Sequence, residues 1–509
     1  MRCSAPVTSP LHLLPLTAHH RLLTLLRSSS AATASAAIHA ASLKSGVHHV
    51  PPFPAALLSA YRKSGYLSAA RRLFDETPHK GLFIWSSILA AESQSDDPRR
   101  AFSLFRRMSG LLPDNHIFAT LINASTRVRS LNAGRQAHAR FLTSPFARVD
   151  DDDDVVKSSL VDMYSKCARV DDALRVFDSI ARRSPVAWTA MVSGLASNGR
   201  ALDAVSLFDA MPTKGLFAWT ALIAGLVRNG DYALAVQSFE QMRVDGVLIN
   251  EPFVISNIVC ASSSLLALEL GWQLHCLTIK LGFEASVIVS NSLAEMYAKC
   301  SDIVSSKRVF DQMSYKDVIS WTTMIVALAQ HGMAFDALAV FDRMVSMGMR
   351  PNEATFVGVL DACSHGGLVD RGQRLFDSMV NEYRIEPSLQ HYTCLLDLFS
   401  RSGLLTEAER LIMTMPFEPD EAAWAALLSA CERHGNTELG VWIADQLLRS
   451  SPKDPSTWIL LSNTYAMAGK WGKVSKVRNL MASMETKKEF GFSRIKLGNE
   501  SVAFAAGEM

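Results

Sequence analysis

The chain has 509 residues and a formal net charge of +2, with 51 Lys and Arg against 49 Asp and Glu. This balance lacks the strong positive charge that marks many nucleic-acid-binding domains, and 8 Cys in so long a chain do not predict a disulfide framework. The most apolar uncharged run, 252–268, is shorter than the roughly 20 residues that a membrane-spanning helix needs, so we predict no membrane insertion.

The first segment, about 1–35, differs from the rest of the chain. No acidic residue precedes Asp75, whereas Arg2, Arg21 and Arg27 lie in a stretch rich in Leu, Ser and Ala. This composition is typical of an organelle transit peptide, and a polar extension without a targeting role is the alternative. Because the cations are Arg and the segment is rich in Leu, we expect a mitochondrial address, with the chloroplast as the alternative.

The rest of the chain repeats itself. A small residue followed four positions later by Phe recurs at Phe spacings of 31, 72, 31, 31, 71, 31 and 35 residues. The two wide gaps each hold a unit without that Phe, marked instead by Gly134 with His138 and by Gly271 with His275. We expect both His to pack between helices. The Phe residues are Phe74, Phe105, Phe177, Phe208, Phe239, Phe310, Phe341 and Phe376.

One unit, 318–352, illustrates the local structure. A first apolar stretch ends at His331-Gly332, and a second, with Ala337 and Phe341 on one face, ends before Pro351. Helical spacing, a Gly break and a terminal Pro predict two antiparallel helices of about three turns each. Because a single hairpin cannot bury its apolar face alone, we predict that successive hairpins stack into an all-α solenoid.

The unit lengths cycle through about 35, 36 and 31 residues, and Tyr-x-Lys-Cys recurs at 164–167 and 297–300. Together with the Gly-x-x-x-His marks, this cycle resembles the PLS class of plant pentatricopeptide repeat (PPR) proteins, in which standard (P), long (L) and short (S) repeats alternate. Tetratricopeptide repeats keep close to 34 residues throughout. The resemblance implies a right-handed α-solenoid superhelix of helix-turn-helix repeats over 17–420. We assign L 17–50, S 51–81, P 82–114, L 115–153, S 154–184, S 185–215, P 216–250, L 251–286, S 287–317, P 318–352, L 353–388 and S 389–420.

The C-terminal segments resemble the E1 and E2 motifs of the E subgroup. Met415–Asp420 followed by Ala423–Cys431 introduces E1, assigned to 421–454, and Leu460–Tyr465 with Trp471 falls in E2, assigned to 455–500, before a tail at 501–509. Many such proteins continue into a zinc cytidine deaminase, the DYW domain, which needs His-x-Glu and Cys-x-x-Cys.

This sequence contains neither pattern. We therefore expect no enzyme activity, no catalytic residue and no metal or other cofactor in this chain; truncation of a longer protein is the alternative explanation of its end. Five Cys recur at repeat-related places, where we expect them to pack as small apolar residues. They are Cys167, Cys300, Cys363, Cys394 and Cys431.

The resemblance implies that RNA is read one base per repeat, by the fifth and the last residue of each P or S repeat. The fifth residues are Ser86, Ser158, Thr189, Thr220, Asn291, Thr322 and Thr393, and the last are Asp114, Ser184, Gly215, Asn250, Asp317, Asn352 and Asp420. The L repeats carry Ala119, Ile255 and Val357 at the fifth position. The alternative is that these polar residues cap helices and end repeats without touching RNA.

The code of the family pairs Thr or Ser plus Asn with adenine, Thr or Ser plus Asp with guanine, and Asn plus Asp with uracil. Applied from the N- to the C-terminus, it predicts the target 5′-G-n-n-n-A-n-U-A-n-G-3′, with the L repeats and the repeats 154–184 and 185–215 unassigned.

The expected function is sequence-specific binding of single-stranded RNA that selects cytidines for C-to-U editing in organelle transcripts. A DYW-type deaminase or another editing factor, recruited through E1 and E2, would supply the catalysis, and no small-molecule substrate is expected. Two alternatives remain open: an RNA-binding factor in splicing, cleavage or stabilisation, and a tetratricopeptide-like scaffold for proteins.

Overall fold

A computed structural model of the chain describes residues 32–44, 53–108, 110–145, 154–450, 455–483, 492–497 and 500–505. Within these residues the chain forms 27 α-helices and one two-stranded antiparallel sheet. The helices follow one another as antiparallel pairs, so the all-α fold of stacked helical hairpins predicted from the repeats is confirmed. Most of the predicted leader, 1–31, and the last residues of the predicted tail, 506–509, lie outside the described residues.

The chain divides into two compact units, Met1–Ala261 and Ser262–Met509. The first unit contains α1 (Ala32–Lys44), α2 (Phe53–Lys63), α3 (Leu67–Glu76), α4 (Leu82–Ser93), α5 (Arg99–Arg107), α6 (Asn115–Arg127), α7 (Leu131–Leu142), α8 (Asp154–Lys166), α9 (Val170–Asp178), α10 (Pro185–Ser197), α11 (Ala201–Asp209), α12 (Leu216–Asn229) and α13 (Tyr232–Val244). The division falls within the next helix, α14 (Pro252–Ser264).

The second unit ends with a β-hairpin. Its helices are α15 (Leu268–Lys280), α16 (Val287–Lys299), α17 (Ile303–Gln312), α18 (Val318–Gln330), α19 (Ala334–Ser346), α20 (Glu353–Gly366), α21 (Val369–Asn381), α22 (Leu389–Arg401), α23 (Leu405–Thr414), α24 (Glu421–His434), α25 (Thr437–Ser450), α26 (Pro455–Met467) and α27 (Trp471–Ser483). Strands β1 (Phe492–Leu497) and β2 (Glu500–Ala505) pair antiparallel. This hairpin, which spans the boundary between the predicted E2 motif and tail, was not predicted from the sequence.

The turn inside most hairpins contains a residue in the left-handed region, although the turn between α4 and α5 has none. In the unit 318–352, Gly332 adopts φ 70° between α18 and α19. A residue without a Cβ takes this conformation at no steric cost. Four other hairpins place a side chain there instead. These residues are Arg129, Ala168, Leu266 and Ser301, with φ between 51° and 64°.

The Phe that marks the repeats joins four of the five short units to the next unit. It lies on the second helix and meets the Trp that opens the following hairpin, mostly edge to face, and a cation six residues after the Phe lies over its ring. The Phe–Trp centroid distances are 4.9 Å for Phe74–Trp85, 5.2 Å for Phe177–Trp188, 4.4 Å for Phe208–Trp219 and 5.1 Å for Phe310–Trp321. The cations are Lys80, Arg183, Lys214 and Lys316, at 4.4 to 5.2 Å from the centroids.

The long units 115–153 and 251–286, which lack the marker Phe, are joined to their successors by a different contact. The Nδ1 atom of His138 lies 2.9 Å from the Tyr164 hydroxyl, and that of His275 lies 2.8 Å from the Tyr297 hydroxyl. Each ring pair also packs edge to face. Burial lowers the pKa of both His and raises the pKa of Tyr297 to about 12, so these groups are neutral near pH 7. None of the helices in the described ranges is both long and apolar enough to cross a membrane.

Candidate nucleic-acid interface

The seven predicted fifth residues occupy equivalent places on the first helices of their hairpins. Six are half-buried and Ser158 is buried, with 5% of its surface exposed. The hydroxyls of three of them, Thr189, Thr220 and Thr393, donate to the carbonyl four residues back at 2.7, 2.8 and 3.0 Å. A hydroxyl that donates in this way keeps its acceptor lone pairs for another partner.

Most of the predicted last residues cap the first helix of the next hairpin. The side chains of Asp114, Ser184, Asp317, Asn352 and Asp420 each accept a hydrogen bond from the backbone N–H three residues on. Gly215 occupies the same position before α12 without a side chain, and Asn250 is an exposed residue two positions before α14. Capping is therefore one role of these residues, and it fixes the direction in which the side chain points.

The fifth and last residues of the repeat 287–317 contact each other directly. The Asn291 side-chain amide donates to the Asp317 carboxylate at 3.3 Å, while that carboxylate caps α18 through Ser320. Burial alone would raise the pKa of Asp317, but the hydrogen bonds from Ser320 and Asn291 outweigh it and hold this pKa below its usual value. The Asp317 carboxylate is thus held in its charged form beside the Asn291 side-chain amide, whose orientation it fixes.

The repeat 318–352 brings its two predicted residues to one cavity of about 320 Å³. Thr322 and Asn352 both line it, and Thr355 links them because its hydroxyl lies 2.7 Å from that of Thr322 and 2.8 Å from Asn352 Oδ1. Lys299 of the preceding repeat also lines the cavity. Glu295, which forms an ion pair with Lys299 at 2.7 Å, lines it as well, so the cavity offers a nucleotide polar groups rather than net positive charge.

The remaining assigned pairs are not joined directly to each other. In the described structure, no hydrogen bond links Ser86 to Asp114, Thr220 to Asn250, or Thr393 to Asp420. The two residues of each pair hold the same repeat positions as those of the other repeats. A ligand would have to contact both residues of a pair for them to act together.

Sequence reasoning missed a row of exposed apolar side chains at the second position of the repeats. Each lies three residues before a predicted fifth residue, which places the two on the same side of the helix. The sequence does show an apolar residue at the second position of each of these six helices, but it does not show that the side chain is exposed. The row comprises Phe83 (83% exposed), Val155 (52%), Val186 (67%), Phe217 (79%), Ile288 (54%) and Ile319 (61%).

Four of the seven first helices carry a cation eight residues after the fifth position. Three of them form i,i+4 ion pairs, Lys166–Asp162 at 2.9 Å, Lys299–Glu295 at 2.7 Å and Arg401–Asp397 at 2.7 Å. Arg228 instead donates to the Ser197 hydroxyl at 3.0 Å. Because three of these four cations are paired with a carboxylate four residues earlier, the row carries little free positive charge.

Three of the five cysteines predicted to pack as small apolar residues are largely inaccessible thiols with a raised pKa. Burial raises the pKa of Cys363 to about 11, that of Cys394 to about 12 and that of Cys431 to about 11, so their thiols are protonated at neutral pH. A protonated, buried thiol is neither a nucleophile nor a good metal ligand.

Stacked helical hairpins with a repeating polar pair define a helical-repeat protein, and comparison with known proteins specifies the family. A PPR repeat model matches residues 56–82, 83–111, 155–184, 186–216, 217–247, 354–383 and 391–417, a PPR repeat family model matches 316–365, and an E motif model matches 434–496. The chain belongs to the plant pentatricopeptide repeat proteins, in the E subgroup.

Relatives in Arabidopsis thaliana support this membership. The chain is 34% identical over 474 residues to the putative pentatricopeptide repeat-containing protein At5g52630, covering 92% of this chain and 74% of that protein. It is 36% identical to the putative protein At1g68930, covering 79% of this chain and 49% of the relative, so it spans about half the length of that protein. It also spans 42% of the pentatricopeptide repeat-containing protein At4g33170, with 34% identity.

Solved structures share the fold. The crystal structure of maize PPR10 matches with a TM-score of 0.50 and 18% identity, covering 92% of this chain and 74% of PPR10. A PPR10 variant in complex with an 18-nt psaJ RNA element matches with a TM-score of 0.52 and 17% identity, over 90% of this chain and 76% of that one.

Proposed function

We propose that this chain binds single-stranded RNA in a sequence-specific manner and selects cytidines for C-to-U editing in organelle transcripts. The fifth and last residues of the P and S repeats read the bases, and a deaminase recruited through the C-terminal E region supplies the chemistry. The cavity shared by Thr322 and Asn352 is the observation that carries the proposal, because both proposed reading residues of one repeat line it.

Two further features support RNA as the ligand. The exposed apolar row beside the fifth residues offers surfaces on which bases can stack, and stacking tolerates any base because each has a π-face. PPR10, whose fold this chain shares, was crystallised with an 18-nt RNA element. The E motif at 434–496 supports the assignment to editing, since that motif follows the repeats in editing factors of the family.

The proposed base assignment is tested with short RNAs. An RNA carrying 5′-G-n-n-n-A-n-U-A-n-G-3′ competes better for the protein than an RNA in which the A and U positions are exchanged. A scrambled RNA of the same composition controls for charge. Equal binding of the three RNAs would refute the assignment of bases to residues.

The editing role is tested in plants that lack the protein. Loss of conversion at one or a few cytidines downstream of a matching string supports the proposal. Unspliced, uncleaved or missing transcripts with normal editing would instead assign the chain to RNA processing, which uses the same reading residues.

The proposed compartment is an organelle, with the mitochondrion favoured over the chloroplast. Proteins of this family act in plant organelles, and the segment 1–35 has the composition of a transit peptide. A fluorescent protein fused to the C-terminus of the whole chain should co-localise with a mitochondrial marker. Fluorescence in chloroplasts alone would show that the proposed compartment is wrong without affecting the RNA-binding proposal.

A further inference from the structure

We propose that a cavity on the second helices of the first unit binds the phosphate backbone of the RNA strand, apart from the residues that read bases. The cavity has a volume of about 650 Å³ and is formed mainly by α5 and α7. The inference rests on the proposed function, because it assigns the same RNA a second contact upstream of the sequence that is read.

Three guanidinium groups line this cavity. Arg99 and Arg106 lie seven residues apart on α5, which places them on one side of the helix and about 10 Å apart along its axis. Arg140 lines the cavity from α7, and all three side chains are exposed. The planar guanidinium forms paired hydrogen bonds to phosphate oxygens, so a row of three suits successive phosphates of a strand.

The surroundings hold the charge in place without neutralising it. The Arg140 guanidinium lies 5.2 Å from the centroid of the Phe105 ring, a contact that orients it. Ser103, Asn132 and Gln136 add neutral donors, and none of the described residues that line the cavity is acidic. By contrast, Arg100, which does not line the cavity, pairs with Asp97 at 3.4 Å.

An aromatic ring favours a nucleic-acid strand over an acidic protein. Phe102 is half-buried and lies three residues after Arg99, on the same side of α5, where it also lines the cavity. Phosphate-binding cations beside an aromatic ring are the combination that single-stranded nucleic acids need, because the ring stacks on a base while the cations bind the backbone. An acidic peptide would use the cations alone.

The position in the chain identifies which part of the strand reaches the cavity. Helix α5 belongs to the repeat 82–114, the first in the chain to which a base is assigned, at the 5′ end of the target. The cavity therefore lies beside the part of the strand at and just 5′ of that base, where the preceding repeats 17–50 and 51–81 carry no base assignment.

The test compares three RNAs with the full chain: the core target, the core with about ten uridines added at its 5′ end, and the core with the same addition at its 3′ end. The 5′-extended RNA should bind more tightly than the other two. With three added phosphate contacts at a slope of about 0.7 each, its extra affinity should fall roughly twentyfold between 50 and 200 mM salt.

Matched variants assign the effect to the cavity. Arg99→Gln, Arg106→Gln and Arg140→Gln together should remove the gain from the 5′ extension and leave binding of the core RNA unchanged. If the triple variant folds poorly, the double variant Arg99→Gln/Arg106→Gln replaces it. This variant keeps the Arg140–Phe105 contact and should remove most of the gain in affinity from the 5′ extension. The control Arg72→Gln/Arg107→Gln/Arg182→Gln removes the same charge from exposed residues outside the cavity and should keep the gain.

The possible outcomes separate this inference from the proposed function. Equal gains from both extensions, or a gain that survives in the double variant, would overturn the inference while the preference for the core over its scrambled form still stands. A poly-glutamate peptide that displaces the extension as well as RNA of equal charge would also overturn it. Loss of the preference for the core would refute the base reading alone, and a failure to bind any RNA would refute both.

Discussion

Asn291 and Asp317 are joined by a 3.3 Å hydrogen bond although 26 residues separate them in the chain. The same Asp317 oxygen accepts the Ser320 N–H at 2.8 Å and so caps α18. The Oδ1 atom of Asn291 is buried and has no hydrogen-bond partner among the described residues. A buried acceptor without a partner is costly.

This relationship predicts the effect of Asn291→Thr. By the code of the family, Thr with Asp317 favours guanine, so the preferred base at this position should change from uracil to guanine. We expect roughly a three- to tenfold change in the binding ratio of the two RNAs, the value of about one net hydrogen bond. Fluorescence anisotropy measures it, and Asn291→Thr should leave preference at the Thr322 position as it is.

The exposed apolar row predicts a loss of RNA affinity that does not depend on the RNA sequence. Phe217→Ser should weaken binding of every RNA to a similar extent, by about 1–3 kcal/mol if its ring stacks on a base. Because Phe217 is 79% exposed, the melting temperature should hardly change. Phe335→Ser is the matched control, since Phe335 is 75% exposed but lies on the second helix α19. Equal losses in the two variants would argue against stacking on the first helices.

The fold was predictable from the sequence because its signals are local and repeated. The small-residue and Phe pairs, and the Gly at hairpin turns, fixed the helices in register with the fifth residues. The apolar row was missed because an apolar residue is expected inside, and Phe83 and Phe217 are instead exposed. The Asn291–Asp317 bond depends on how one hairpin meets the next, which no local pattern encodes. The β-hairpin at 492–505 had one local signal, Gly498-Asn499 between two apolar segments, which favours a two-residue turn.

Close packing of the first helices predicts that Gly225→Ala destabilises the protein. A Cβ at this position of α12 would lie 2.6 Å from the Cβ of Ala196 on α10. Overpacking of this kind costs about 1–3 kcal/mol, which exceeds the roughly 0.5–1 kcal/mol that Ala gains over Gly in a helix. Urea unfolding should show a lower midpoint. Gly472→Ala on α27, where a Cβ meets nothing within 4 Å, should give no decrease.

The hairpin turn at Ser301 predicts a stabilising substitution. Ser301 adopts φ 64°, a conformation that costs a side-chain-bearing residue about 1 kcal/mol relative to Gly. Ser301→Gly should therefore raise the midpoint of urea unfolding of the second unit. The control Ser305→Gly, inside the helix α17, should lower it because Gly is a poor helix former. A lower midpoint of urea unfolding for both variants would mean that the turn at Ser301 is not strained.

Three histidines predict how stability depends on pH. Burial lowers the pKa of His138, His275 and His391 below the value of about 6.5 expected in an unfolded chain. The unfolded state therefore binds protons at a higher pH than the folded state, so stability is full above about pH 6.5 and falls as the pH drops below it. The melting temperature should decrease from pH 6.5 to 5. His138→Gln/His275→Gln should show a smaller decrease, and an unchanged one would exclude these groups as its source.

The capping role of the last residues limits how the protein can acquire new targets. Asp114, Asp317, Asn352 and Asp420 each close the first turn of the following helix. Loss of such a cap costs about 0.5–2 kcal/mol, and Ser, Thr, Asn, Asp and Gly are the residues that helices accept there. Under the proposed base reading, selection for a different base at this position draws on a set of residues that helix formation has already restricted, which would give the recognition alphabet a thermodynamic origin.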